Sequence, residues 1–224
     1  MSRLKIDPED IYEDPNDISI LDKIKESIEK ERDDLEEYRE KKKLYKQLLT
    51  LLNKEDIFKI PDDLLMLFYK NGSFEPPTHK WGGRQPCIAV LFDDCLGSMI
   101  FTKGIRKLNQ MTIFHRHIGQ LQEGGAIGCS LYFLTQSFRC AVGGVSKTIR
   151  GNTTSLAIGR TKSEKELEEV ANEVGAEVSK DKFLELHKKA TGGDKYSYLF
   201  IDFHKKDSHP SMFRKNLDTF LVEN

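Results

Sequence analysis

The sequence predicts an α/β protein: a mainly parallel sheet flanked by helices, with a long helical region ahead of it. Three observations predict this. The runs CIAVLF, CSLYFLT, TSLAIG and YSYLFIDF have strand length, and continuous apolar character belongs to strands buried on both faces. Helix-favouring segments alternate with them, the pattern that builds parallel sheets. Composition also changes sharply near residue 75, which divides the chain into 1–75, charged and helical, and 76–224, with α/β texture.

The chain has 224 residues, 38% hydrophobic and 32% charged, with a net charge of −1. That balance gives no global basic field to draw it onto nucleic acid, so any DNA contact has to come from local patches. No apolar run reaches the roughly 18 residues of a membrane span, and MSRLKIDPED lacks the apolar stretch of a signal peptide. A soluble, intracellular chain is expected. Cys87, Cys95, Cys129 and Cys140 form no C-x-x-C pair, and Cys87 and Cys129 open apolar runs as small buried hydrophobes do. The histidines stand at no zinc-ligand spacing.

The first element is DISILDKIKESIEKERDDLEEYREKKKLYKQLLTLLNKED, free of Gly and Pro and strongly helix-favouring. Leu21, Ile24, Ile28, Glu31, Leu35, Tyr38, Lys42, Tyr45, Leu49 and Leu52 step by alternating threes and fours, a coiled-coil-like stripe with two polar interruptions. An amphipathic helix or helical hairpin packed on the rest of the protein is the leading expectation; a protruding element that contacts a partner is the other. PDDLLMLFYKNG reads as a short helix between Pro61 and Asn71-Gly72. SFEPPTHKWGGRQP then breaks regular structure. Further helices are expected in FTKGIRKLNQMTIFHRHIG, in SEKELEEVANEVG with the capping box Ser163/Glu166, and in DKFLELHKKATGG.

In parallel sheets the working residues sit just past the carboxyl ends of the strands. The first run, IAVLFDDCLGS, ends on Asp93-Asp94. A lone aspartate there often only caps a turn, but two adjacent carboxylates repel unless a cation joins them. In nucleoside triphosphatases such an acid holds Mg²⁺ and its neighbour polarises the attacking water. The second run ends at Thr135-Gln136-Ser137, where a glutamine is placed to orient a water or sense a γ-phosphate, or merely to cap the strand. Arg150 and Asn152 fall in the turn before TSLAIG, and Arg116 lies at the end of the basic helix. Either guanidinium suits a phosphate or simply the surface.

GGVSKT, residues 143–148, imitates the tail of G-x-x-x-x-G-K-[ST]. Ser146 stands where glycine must let backbone amides wrap the phosphates, and Ala141 where the first glycine belongs. It is not read as a phosphate loop, and no other segment fits.

IAVLFDDCLGS, FHRHIGQ, LYFLTQS and KTIRGNTTSLAIGRTKSEKELEEVANEVG, in that order, resemble the DNA-packaging ATPases of nucleocytoplasmic large DNA viruses, poxviruses among them, within the FtsK/HerA-like class of DNA translocases. The likeness covers roughly residues 85–175. It implies a partial P-loop NTPase core in residues 76–224, with the charged helices as a long N-terminal insertion. Asp93 would be the acid associated with Mg²⁺, Asp94 the catalytic acid, and Gln136 the γ-phosphate sensor. Arg116 and Arg150 match basic positions, with neither assigned as a finger in a neighbouring subunit, and Asn152 would lie at the nucleotide. ATP and Mg²⁺ are the cofactors implied. The partners implied are double-stranded DNA contacted without sequence preference, other copies in a ring, and a capsid or portal-like component. The setting would be the host cytoplasm, in a viral factory, or the virion.

The family places its phosphate loop upstream of the acidic pair. RLKIDPEDIYEDPNDI resembles the strand and loop that follow it, so residues 1–75 are expected to begin with the end of an upstream α/β segment. The expectation is a C-terminal part of such an ATPase that binds ATP poorly alone. Other translocases of the class, a decayed non-enzymatic interaction or scaffold protein, and a metal-dependent nuclease are the alternatives. Lys103, Arg106 and Lys107 are candidate phosphate contacts for DNA, or a solvated basic face.

Overall fold

The computed structural model describes residues 6–54, 60–72, 74–138, 142–161, 163–174 and 178–222. The chain forms two compact units, Met1–Asp93 with Arg106–Leu134, and Asp94–Ile105 with Thr135–Asn224.

The first unit opens with a 3₁₀ turn, Pro8–Asp10. The strand expected near its start falls partly on residues 3–5, outside the described residues; from Ile6 onward no strand forms before β1 among the described residues. Asp17 accepts hydrogen bonds from the backbone and hydroxyl of Ser19, and the chain then enters α1 (Ile20–Lys54), one continuous helix. Its stripe is buried through Leu21, Ile24, Ile28 and Leu35. Toward the far end Leu48 is buried, whereas Leu49 and Leu52 are exposed. A straight helix drifts about 20° per heptad from a 3.5-residue repeat, so a long stripe changes face. α2 (Asp62–Lys70) follows Pro61 as expected and lies against α1.

The proline- and glycine-rich segment is fastened to α1 at Glu31, which accepts from the Trp81 indole at 2.6 Å and pairs with Lys80 at 3.3 Å. α3 is shorter than the sequence suggests, Ile105–Phe114. Beyond it the His115 carbonyl accepts from Cys129 N, and Ile118 and Gly119 bond to Gly128 and Ile127, so the backbone leaves the helix to brace the next strand. Lys107 pairs with Asp22 at 2.6 Å and Gln122 N donates to Glu36 at 2.6 Å. α1 therefore packs on its own unit over its first half, as the leading expectation had it.

β1 (Ala89–Asp93) and β2 (Ser130–Leu134) pair parallel, in register from Ala89↔Ser130 to Asp93↔Leu134. Phe92 is buried and stacks on Phe133, with ring centroids 5.0 Å apart. Burial on both faces is not found: Leu91, Tyr132 and Leu134 are exposed. Among the described residues this sheet has two strands.

The second unit corrects the expectation of one parallel sheet. β3 (Ser155–Ile158) and β4 (Leu199–Asp202) pair antiparallel, and β5 (Phe213–Lys215) and β6 (Thr219–Phe220) extend the sheet in the order β3-β4-β5-β6. β5 and β6 were not expected, because two or three residues around a turn leave no periodic signal; Asn216, at φ 56°, marks that turn. α5 (Glu164–Val174) and α6 (Lys180–Thr191) bury Leu167, Val170, Phe183 and Leu186 with Leu199, Ile201 and Phe213 of the sheet. Ser179 caps α6 by accepting from Lys182 N. The chain is thus mixed α/β with six α-helices among the described residues. No described helix is long and apolar enough to cross a membrane.

Candidate functional site

Asp93 is the last residue of β1, opposite Leu134, the last of β2. The chain passes into the second unit directly after each of them. Asp94 is the first residue beyond β1 and adopts φ 49°. This left-handed region is disfavoured for most residues but is tolerated by Asp and Asn. From there its carboxylate accepts a hydrogen bond from the side-chain amide of Gln136 at 3.1 Å. Two of the residues singled out at strand ends therefore meet, and they do so with the chemistry of an acid and an amide that can share one water.

The loop carrying Gln136 is held from α5. The backbone N–H of Phe138 donates to the Glu166 carboxylate, whose other oxygen accepts from the Thr161 hydroxyl at 3.4 Å. The capping box forms in one half only. Ser163 Oγ accepts from Glu166 N at 3.2 Å, but Ser163 N donates to Thr161 Oγ1 instead of to Glu166. Phe138 packs against the core of the second unit.

Arg150 lies in α4 (Lys147–Gly151), capped by Ser146, whose hydroxyl accepts from Ile149 N. Ser146, the residue that spoils the phosphate-loop pattern, is thus a helix cap. The Arg150 guanidinium pairs with Glu173 at 3.0 Å, donates to the Val145 carbonyl at 2.5 Å and lies over the Phe138 ring, 5.8 Å from its centroid. Asn152 caps the end of α4, donating from its side chain to Thr148 O at 2.8 Å. Its side chain thus has a structural task at the end of this helix.

Arg116 is exposed, in the turn after α3. That turn is fixed where the chain enters β2, by the bond from Cys129 N to the His115 carbonyl. Asp93 lies at the other end of the parallel pair, about 13 Å along the strands at roughly 3.3 Å per residue. The structure does not bring Arg116 to Asp93 of its own chain.

Cys87 is exposed, against the expectation of a buried hydrophobe. Cys129 fits better: burial pushes its thiol up to about 11. Cys140 lies outside the described residues. Glu166, Glu173 and Phe138 were not singled out for the site; the capping-box pattern marks Glu166, but not that its carboxylate turns to another loop.

Comparison with protein-family profiles, with curated proteins and with solved structures found no match to this chain.

Proposed function

We propose that the chain is the acid-and-sensor part of an ATP-driven translocase of double-stranded DNA, with packaging of a viral genome as its setting. The observation that carries this reading is the hydrogen bond between Asp94 and Gln136, just past two adjacent parallel strands. The ordered motifs of the sequence support it.

Mg²⁺ binds through one or two carboxylates together with substrate phosphates, a requirement that the successive carboxylates Asp93 and Asp94 fit. Asp93 would hold the ion, which when bound would neutralise phosphate charge. Asp94 would take the proton of the attacking water, and Gln136, already bonded to it, would orient that water. GGVSKT does not suit phosphates, since Ser146 is used as a cap and α4 has five residues. ATP would have to meet its phosphate-binding groups elsewhere in the assembled motor. Arg116, fixed away from Asp93, is the better of the two arginines for a neighbouring subunit in a ring.

A second reading, a non-enzymatic interaction protein, is favoured by the structural tasks of Arg150 and Asn152. The test is ATP hydrolysis by the intact gene product with duplex DNA of several sequences. Stimulation independent of sequence is expected, because a translocase follows phosphates. No hydrolysis with any duplex would leave the second reading in place.

A further inference from the structure

We propose that α5 is the positioning element of the candidate site, with Glu166 holding Gln136 against Asp94 through the loop after β2. The proposal rests on the reading of Asp94 and Gln136 as the working pair. Glu166 and Glu173 are seven residues apart, two turns along one face of α5. Glu166 takes the Phe138 N–H, two residues from Gln136, and Glu173 takes Arg150, whose guanidinium covers the Phe138 ring. One helix face thus grips the sensor loop at its backbone and the arginine that lies on it.

The half-formed capping box argues that this contact is more than local helix chemistry. In a full box the Glu side chain returns to the N-cap backbone N–H. Here that N–H is satisfied by Thr161, and the Glu166 carboxylate is directed to Phe138. Phe138 is partly buried and its ring packs on the core, so its N–H would lose a charged acceptor if Glu166 were removed. With Phe138 anchored at ring and backbone, Gln136 has little freedom to leave Asp94.

The experiment is NMR of the ¹⁵N-labelled full chain, reading amide exchange at Phe138 and the side-chain NH₂ signals of Gln136. Glu166→Ala is expected to speed exchange at Phe138 about 10- to 100-fold, the loss of a hydrogen bond to a charged acceptor. It is also expected to move the Gln136 side-chain signals to those of a free glutamine. Glu166→Gln, whose amide carbonyl still accepts, is expected to restore both. A purely structural Glu166 would leave Gln136 unmoved while Phe138 opens, and that result would overturn the proposal. If Glu166→Ala does not fold, Glu166→Asp, which keeps the charge but is one methylene shorter, decides by the same two signals. Glu173→Ala is expected to shift the Arg150 Nε–H resonance; an unmoved signal would remove Glu173 from the account. Neither ATP nor Mg²⁺ enters these measurements, so a failure of the proposed function is seen separately.

Discussion

The side-chain amide of Gln136 donates to the Asp94 carboxylate at 3.1 Å, although 42 positions separate them in the chain. The contact depends on an unusual backbone, since Asp94 sits at φ 49°. Conformation and chemistry can therefore be separated by substitution. Asp94→Asn and Asp94→Gly both suit the left-handed region and are expected to leave urea unfolding nearly unchanged. Asp94→Val is expected to destabilise by about 1–2 kcal/mol, which chemical denaturation will show.

Gly143, ahead of α4, and Gly151, its last residue, should respond oppositely. Gly143 has φ 67°, and an added Cβ would lie 2.7 Å from the Gly97 Cα. Gly143→Ala is expected to lower stability by more than about 1 kcal/mol. Gly151 has open space around it and no positive φ, so Gly151→Ala is expected to be neutral or to stabilise by up to about 1 kcal/mol. Paired thermal melts check both.

The thiols should separate by reactivity. Cys87 is exposed, and burial holds the Cys129 thiol protonated up to about 11. Only the thiolate reacts, so alkylation at pH 8, mapped by peptide mass spectrometry, should label Cys87 well before Cys129. A folded-state pKa raised above the unfolded one stabilises below the unfolded value and is lost as pH rises through the folded one. Cys129 therefore contributes stability below about pH 8.5, the ordinary thiol value, and loses it as pH rises toward 11. Cys129→Ala is expected to flatten that part of the profile.

Trp81 is the single tryptophan, which makes its bond to Glu31 directly visible. Glu31→Ala removes the indole acceptor at 2.6 Å and is expected to change Trp fluorescence and cost about 1 kcal/mol. Glu31→Gln, which still accepts, is expected to keep most of both. Lys80→Ala should change stability little, because exposed ion pairs contribute about 0–1 kcal/mol.

Helices were legible where propensity and caps agreed. Pro61 and Asn71 bracket α2, and the segments SEKELEEVANEVG and DKFLELHKKATGG place α5 and α6 close to where they form. Strand existence was legible too: β1, β2, β3 and β4 each overlap an expected run. Strand direction was not. Leu199–Asp202 reads like a buried parallel strand, but its partners are Ser155–Ile158 and Phe213–Lys215, both antiparallel, and no local pattern distinguishes the two. The site was legible in part for the same reason. Asp94 and Gln136 stand at strand ends, which the sequence marks, whereas the grip of Glu166 on Phe138 is a contact between distant segments. Arg150 and Asn152 were marked as polar residues in a turn, and only the fold reveals that Glu173 and Thr148 engage them.

The most direct test of the Asp94–Gln136 pair is a double-mutant cycle on DNA-stimulated phosphate release by the intact gene product, with Asp94→Asn, Gln136→Ala and the two combined. Groups that act as one unit give losses that do not multiply. Asp94→Asn is expected to lower turnover about 10²- to 10⁴-fold, the usual contribution of a general base. Adding Gln136→Ala to Asp94→Asn is expected to cost little more. Unchanged turnover in Asp94→Asn, or losses that multiply, would contradict their acting as a pair.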